Sequence, residues 1–315
     1  MDTGRGTTQT LGRVLTHSPS GERQSSSRSD TSGGAAPSTS PCTHLVLRGG
    51  YMLVALAPDG HRTEAHRDLV PEPSGYCCPY CRHPVHLKRG RVKVAHFAHA
   101  AGADCPAASE PESPEHLAAK ALLAAEFRAL GYDVILERPH PQHRRRVDVA
   151  VRIPGRAGPV QVAVEVQASA INTKEIIRRE RADHAAGYLS TLWCFTRSRA
   201  PELLTLRPDI EVRVPEEIRF IHRTHTTGVA LLDVNAGMLW LAHLAGTWRD
   251  GNSWFDSSGN EQSSSGRRPR TIRTVQRTPA TFALRSVWVT PPKQTARWVA
   301  AFTPDTATDR AHDIA

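Results

Sequence analysis

Arg144–Arg152 reads RRRVDVAVR and Val160–Ser169 reads VQVAVEVQAS, with a turn rich in Pro and Gly between them. Within them Arg146–Arg152 and Val160–Gln167 are short, rich in β-branched residues and bounded by Gly or Pro, which is the signature of strands. Alternation along the second puts Glu165 and Gln167 on one face and Val162, Val164 and Val166 on the other. Asp148 lies near the start of the first strand, with sixteen residues between it and Glu165. An acid inside so apolar a strand is costly unless it is paired or holds a cation. Glu165 therefore reads either as a metal ligand or as half of a buried ion pair with one of the many arginines. Asp148 reads as a ligand or as a strand-end turn residue.

Working outward, Tyr132–Glu137 is a third strand candidate. Residues 113–130 form the best helix pattern in the chain. Ser113 suits the N-cap, Pro114 the first helical position and Gly131 the C-terminal exit. Ala119, Leu123, Phe127 and Leu130 make its apolar stripe. Glu115 lies in the first turn. There it either complements the helix dipole or reaches the sheet edge, on a face shared with positions 119, 122 and 126. A second helix is expected over Ile171–Ala186 and a buried strand over Ser190–Phe195. This order predicts an α/β domain over roughly 110–222.

The flanks differ in character. Residues 1–41 are rich in Ser, Thr, Gly and Arg, with few large apolar side chains, and are expected to be a disordered tail. Residues 42–75 read as a hairpin built on Leu45–Leu47 and Tyr51–Ala57, with Pro58-Asp59-Gly60 as a turn. Residues 76–106 are dominated by Cys and His. The stretch 223–315 has apolar runs at Val229–Val234 and Met238–Leu244 and five tryptophans: Trp240, Trp248, Trp254, Trp288 and Trp298. Asp250–Arg270 reads as a loop or linker. This part is expected to be an extension of unknown fold, partly disordered, and no internal repeat is found.

The chain has 315 residues, with 40 basic against 31 acidic side chains and a formal charge of +9. That balance favours a polyanionic partner such as nucleic acid. No stretch approaches the ~18 consecutive apolar residues of a membrane span, and the first forty residues lack the apolar core of a signal peptide. A cytoplasmic protein is expected.

Cys77, Cys78, Cys81 and Cys105 cluster in a CPxC context, which suits metal binding in a reducing compartment better than a disulfide framework. The ligand pattern is Cys78-x2-Cys81, then His96-x2-His99, then Cys105. A Cys-x2-Cys turn aims two thiolates at one tetrahedral metal, and either His96/His99 or His99/Cys105 completes the set. The stretch resembles the zinc ribbons of topoisomerase tails, with Gly90 at the hairpin turn and Phe97 as the aromatic. That resemblance selects Cys78, Cys81, His99 and Cys105, with His96 as the alternative ligand. The expected Zn²⁺ is structural, because four protein ligands leave no open position. Lys88, Arg89, Arg91 and Lys93 line the hairpin, either meeting phosphates or lying on a solvated strand face.

Taken in order, Cys78-Pro79-Tyr80-Cys81, His96-Phe97-Ala98-His99, Glu112-Ser113-Pro114-Glu115-His116 with Lys120, Arg146-Val147-Asp148-Val149 and Glu165-Val166-Gln167 resemble the CoiA-like competence proteins over roughly residues 45–200. The resemblance implies a PD-(D/E)xK (restriction-endonuclease-like) nuclease core and processing of DNA taken up in transformation. It implies Glu115, Asp148 and Glu165 as ligands of Mg²⁺ or Mn²⁺, with Gln167 at the place of the usual catalytic Lys. Gln offers only a neutral donor and acceptor there, so activity is slower, borrows Lys120 or Lys174, or is absent. Lys120, Arg178 and Arg181 are further candidates for DNA contact. Arg178 and Arg181 share one helix side, where pairing with Glu175 and Glu180 is the plainer account. The implied partners are DNA, single-stranded DNA included, and recombination proteins. Two other readings stand beside the nuclease: an inactive DNA-binding protein that keeps the fold, and a zinc-stabilised interaction module for recombination proteins.

Overall fold

The computed structural model describes residues 50–100, 103, 105, 112–204, 211–246, 253–263, 271–292 and 294–305. The tail expected at 1–41, the stretch Leu45–Leu47, Trp248 and much of Asp250–Arg270 lie outside those residues.

Six short strands open the described chain: β1 (Tyr51–Met52), β2 (Val54–Leu56), β3 (Arg62–Glu64), β4 (Tyr76–Cys77), β5 (Pro84–Lys88) and β6 (His96–His99). They pair antiparallel in the order β1-β6-β5-β4-β2-β3. The expected hairpin and the Cys/His segment thus belong to one sheet. Asp59 Oδ1 accepts from the His61 amide at 2.9 Å in the β2–β3 turn. Gly60 sits there at φ +83°, a conformation that costs a residue with a Cβ. Met52, Ala55, Tyr76, Val85 and Phe97 are its buried core.

The next elements are α1 (Pro114–Ala129), β7 (Asp133–His140), β8 (Arg145–Ile153), β9 (Val160–Gln167), α2 (Thr173–Ala185) and β10 (Thr191–Thr196). Ser113 Oγ accepts from the His116 amide at 3.1 Å, capping α1. Gly131 leaves the helix at φ +80°. Ala119, Leu123 and Phe127 are fully buried, whereas Leu130, expected in the same stripe, is exposed. Strands β7, β8 and β9 form an antiparallel meander. β10 lies parallel to β9, which requires the crossover that α2 supplies.

The expected boundary at residue 222 falls inside a helix. After α3 (Pro201–Leu204) and β11 (Glu211–Arg213) comes α4 (Glu216–His225), followed by β12 (Val229–Asp233), β13 (Met238–Ala245), β14 (Ser253–Phe255), β15 (Glu261–Ser263), β16 (Ile272–Val289) and β17 (Arg297–Pro304). β12, β13 and β16 continue the same sheet, in the order β11-β16-β13-β12-β10-β9-β8-β7, with β17 beside β16. The apolar runs of the C-terminal part are therefore strands of the main sheet. The described part of Asp250–Arg270 is a β14–β15 hairpin where a loop was expected.

Alternation divides the core between two faces. Leu192, Cys194, Ala230 and Leu232 pack with Leu117, Leu123 and Phe127 of α1. Trp193, Phe195, Val229 and Leu231 pack with Ile176 of α2 and with Ile218 and Ile221 of α4. These strands are buried on both faces, which is why they read as continuous apolar runs.

A buried charge joins the two sheets. Glu137 accepts from the backbone amides of Leu53 (3.0 Å) and Val54 (3.3 Å) and from Lys120 Nζ at 2.6 Å. Lys120 Nζ also donates to Glu112 at 2.5 Å. Arg62 donates to the carbonyls of Leu136 and Glu137, and Arg128 to that of Val134, covering the β7 edge. Lys120, a candidate for DNA contact in the sequence, is fully buried. Two carboxylates recruit it inward, so no phosphate reaches it from the surface. Removing one partner of such a buried group strands the other charges. Lys120→Met is therefore expected to cost about 3–5 kcal/mol, read from the urea midpoint of the full chain. A loss below ~1 kcal/mol, the value of a surface pair, would show that the group is not buried as described.

Candidate active site and metal centre

Asp148 and Glu165 stand where the β8–β9 ladder opens. Its register runs from Ile153↔Val160 to Val149↔Val164, and at the next step side chains replace backbone. Glu165 Oε1 accepts from the Asp148 amide at 3.2 Å, and Asp148 Oδ2 accepts from the Val166 amide at 3.0 Å. Both carboxylates are buried. The sequence placed them on neighbouring strands, and their chains meet back to back.

Their environments differ. Asp148 Oδ2 lies 3.3 Å from His116 Nε2, yet that ring nitrogen, itself buried, makes no aligned hydrogen bond. Burial alone would raise the Asp148 carboxyl. His116, Lys120 and Arg146 overcome this and hold it well below the usual carboxylate range. Burial likewise lowers His116, but the facing carboxylate wins and its pKa is raised. Glu112, His116 and Asp148 each offer a ligand atom, all within 4.8 Å of one another. Glu112 comes already compensated, by Lys120 and by Arg146 NH2 at 2.5 Å.

Glu165 faces another set of partners. Arg145 NH2 lies 2.5 Å from its Oε1 and Arg179 NH1 3.4 Å from its Oε2. Arg145 is shared with Asp183, whose carboxylate also takes the Thr191 hydroxyl at 2.8 Å. Burial pushes the Glu165 carboxyl up, with Asp148 and Asp183 adding to it against the pull of Arg145 and Arg179. The ion-pair reading of Glu165 is thus realised beside its contact with Asp148. Gln167 is buried and donates to the Ser169 carbonyl at 2.8 Å and its hydroxyl at 3.3 Å. Glu115, five residues before Lys120, accepts from the Ser198 amide at 3.3 Å and is not in the Asp148 group.

The second cluster is formed by Cys78, Cys81, His99 and Cys105, with ligand atoms again within 4.8 Å. The Cys78 and Cys105 sulfurs are 3.9 Å apart, and Cys81 Sγ is 3.2 Å from His99 Nε2. A disulfide sulfur pair sits at about 2.05 Å, whereas two thiolates on one tetrahedral zinc stand about 3.8 Å apart, given Zn–S near 2.3 Å. Burial pushes the Cys78 thiol up to about 12, which is unfavourable for a thiolate without a cation. This Cys3His group can hold a metal. His96 turns away: its Nδ1 faces the Val94 carbonyl at 2.9 Å and its ring packs on Tyr51.

Lys88, Arg91 and Lys93 are exposed around the β5–β6 connection, with Lys93 Nζ 5.5 Å from the Tyr51 ring centre. On α2, Arg181 is exposed, and Arg178 is exposed but bonded twice to Glu175, at 2.6 and 2.7 Å. No helix among the described residues is long and apolar enough to cross a membrane.

The sequence motifs include Glu112, His116 and Arg146 without giving them a role, and Glu137 was read only as the end of a strand. A signal for His116 was present: positions 116 and 120 stand four apart on one face of α1, with Glu112 just ahead of the Ser113 cap. Glu137 had no local signal, since its partners are Lys120 and two amides more than eighty residues back. Burial alone would raise the Glu137 carboxyl, but Lys120 and Arg146 hold it below its ordinary 4.5. Its contribution to stability is present above that value and lost as pH falls through the folded one. Glu137→Gln should therefore lower the melting temperature at neutral pH and flatten its fall in acid, as read by thermal unfolding from about pH 6 to 3. A variant with the acid slope of the wild type would contradict the assignment.

The family model for the competence protein CoiA N-terminal domain matches residues 60–108, and that for the CoiA nuclease-like domain matches residues 112–217. Among curated proteins and among solved structures nothing matches. The first match covers most of the sheet bearing the Cys3His group, and the second covers the stretch from Glu112 through α4's first turn that bears Asp148 and Glu165. With both domains present in order, the chain belongs to the CoiA-like family of competence proteins.

Proposed function

We propose that residues 112–217 are a PD-(D/E)xK-type nuclease core that cleaves DNA phosphodiesters with a divalent metal at Asp148, in the processing of incoming DNA. The carrying observation is the meeting of Asp148, His116 and Glu112 at the open end of the β8–β9 ladder. The order α1-β7-β8-β9-α2-β10, with the acids on the second and third strands, supports the same core. His116 Nε2 is buried without an aligned hydrogen bond, and in the neutral ring its lone pair would be open to a cation. Asp148 and His116 are the primary ligands in this reading, because Lys120 and Arg146 already compensate Glu112. Carboxylate with imidazole suits Mn²⁺ at least as well as Mg²⁺. Such a metal would acidify a bound water and offset charge growing on the phosphate.

The protein's own groups do the rest. Glu165 lies outside the Glu112, His116 and Asp148 group; held by Arg145 and Arg179, it fixes Asp148 by accepting from its backbone amide. Lys120 pairs with Glu112 from beneath the site. The part first given to Glu115 passes to Glu112 and His116, which flank it in sequence. Lys88, Arg91, Lys93 and Arg181 are the exposed cations proposed to meet the DNA backbone.

One observation favours a second reading, a DNA-binding fold without cleavage. Gln167 spends its amide on Ser169, so it brings neither charge nor a free donor to the place of the usual lysine. One assay decides between them. The purified full chain is incubated with single- and double-stranded DNA and Mg²⁺ or Mn²⁺, beside Asp148→Asn. Cleavage that falls by about 10²-fold or more in the variant supports the nuclease. DNA bound but uncut with either metal supports the second reading.

We also propose Zn²⁺ at Cys78, Cys81, His99 and Cys105 as a structural ion. The wild type should carry one equivalent by metal analysis, and His96→Ala should keep it. His99→Ala should lose it together with the folded N-terminal sheet, since structural zinc is folding free energy. Zinc retained in His99→Ala but lost in His96→Ala would reverse the ligand assignment.

A further inference from the structure

The N-terminal sheet reaches the Asp148 site through two contacts. Tyr80 sits within the Cys78-x2-Cys81 turn, where its amide donates to Cys78 Sγ at 3.4 Å. Its hydroxyl donates to the Glu137 carbonyl at 3.3 Å, and the Arg146 guanidinium lies 5.7 Å from its ring centre. Arg146 in turn holds Glu112. The second contact is the pair of amides, Leu53 and Val54, that anchor the Glu137 carboxylate under Lys120. Glu112, just ahead of the α1 cap, and Lys120, on α1 itself, are therefore both fixed at one remove by the N-terminal sheet.

We propose that Tyr80 is a positioning residue of the nuclease-like site, acting through Arg146 on Glu112, so that the Cys/His turn is a working part of that site and not a separate binding module. The physical reason lies in Arg146. A guanidinium bonded to one carboxylate still pivots about that bond. An aromatic face on its other side removes the freedom, and Glu112 then presents a fixed oxygen beside His116 and Asp148. This proposal rests on the Asp148 site described above, so its test includes an arm that needs neither metal nor cleavage.

The full chain is compared with Tyr80→Leu, Tyr80→Phe and Arg146→Lys. Arg146→Lys keeps the charge beside Glu112 but removes the planar group that lies on Tyr80. Amide hydrogen exchange is followed in peptides covering 112–120 and 145–148, with zinc content measured alongside. In parallel, the Mn²⁺ concentration for half-maximal DNA cleavage is compared with KM for DNA. Tyr80→Leu and Arg146→Lys are expected to speed exchange in both segments at unchanged zinc content. They should also raise the Mn²⁺ requirement by about 10-fold, the scale of groups that orient metal ligands, with KM for DNA unchanged. Tyr80→Phe, which retains the ring, should stay close to the wild type. If Tyr80→Leu loses zinc, Arg146→Lys alone decides. Wild-type exchange in both segments of a folded Arg146→Lys overturns the proposal. A wild-type chain that cleaves nothing would count against the nuclease reading, while the exchange arm still judges Tyr80.

Discussion

The fold turns on a lysine with no access to water. Lys120 is fully buried between Glu112 and Glu137, with its nitrogen 2.5 and 2.6 Å from their oxygens. Taking such charges out of water costs several kcal/mol per ion, and the cost is offset only when every remaining donor and acceptor finds a partner. Those partners define the architecture. Glu137 takes φ +48° in the middle of β7, a conformation uncommon outside Gly, and so turns its carboxylate toward the amides of Leu53 and Val54. Glu112 takes Arg146, and Arg146 lies against Tyr80. A network that starts as compensation for one lysine thus binds the N-terminal sheet, helix α1 and strand β8 into one unit.

The same network divides two neighbouring acids into unlike roles. Asp148 faces His116, Lys120 and Arg146, which hold it ionised. Glu165, one strand away, is pushed up by burial and is kept in place by Arg145 and Arg179. Two carboxylates joined back to back through strand amides, with environments that separate their protonation, are a physical basis for dividing labour in a reaction. That basis is independent of the family match, which identifies the two domains without assigning their residues.

Much of the nuclease-like domain was legible because its signals are local. The Ser113 cap, the Gly131 exit and the valine alternation around Glu165 each need only a few neighbouring residues, and helix α1 and strand β9 followed from them. The choice of His99 and Cys105 over His96 also agrees with the geometry of the Cys3His group. What escaped depends on distant partners. Lys120 looked like a surface cation because nothing near it in sequence announces Glu137 as its partner. His116 was overshadowed by Glu115, whose acidic side chain fitted the motif while its geometry leads to Ser198. The C-terminal runs seemed to form a separate part because β12, β13 and β16 show their purpose only when paired with β10 and with one another.

Under the proposed function, Asp148 and His116 hold a divalent cation. A crystal of the full chain soaked in Mn²⁺ and measured for anomalous scattering tests it most directly. A peak is expected within bonding distance of Asp148 Oδ2 and His116 Nε2, about 2.0–2.6 Å for hard-cation ligands, and absent in Asp148→Asn. A well-ordered site with no peak there, and His116 Nε2 bonded to Asp148 alone, would contradict it.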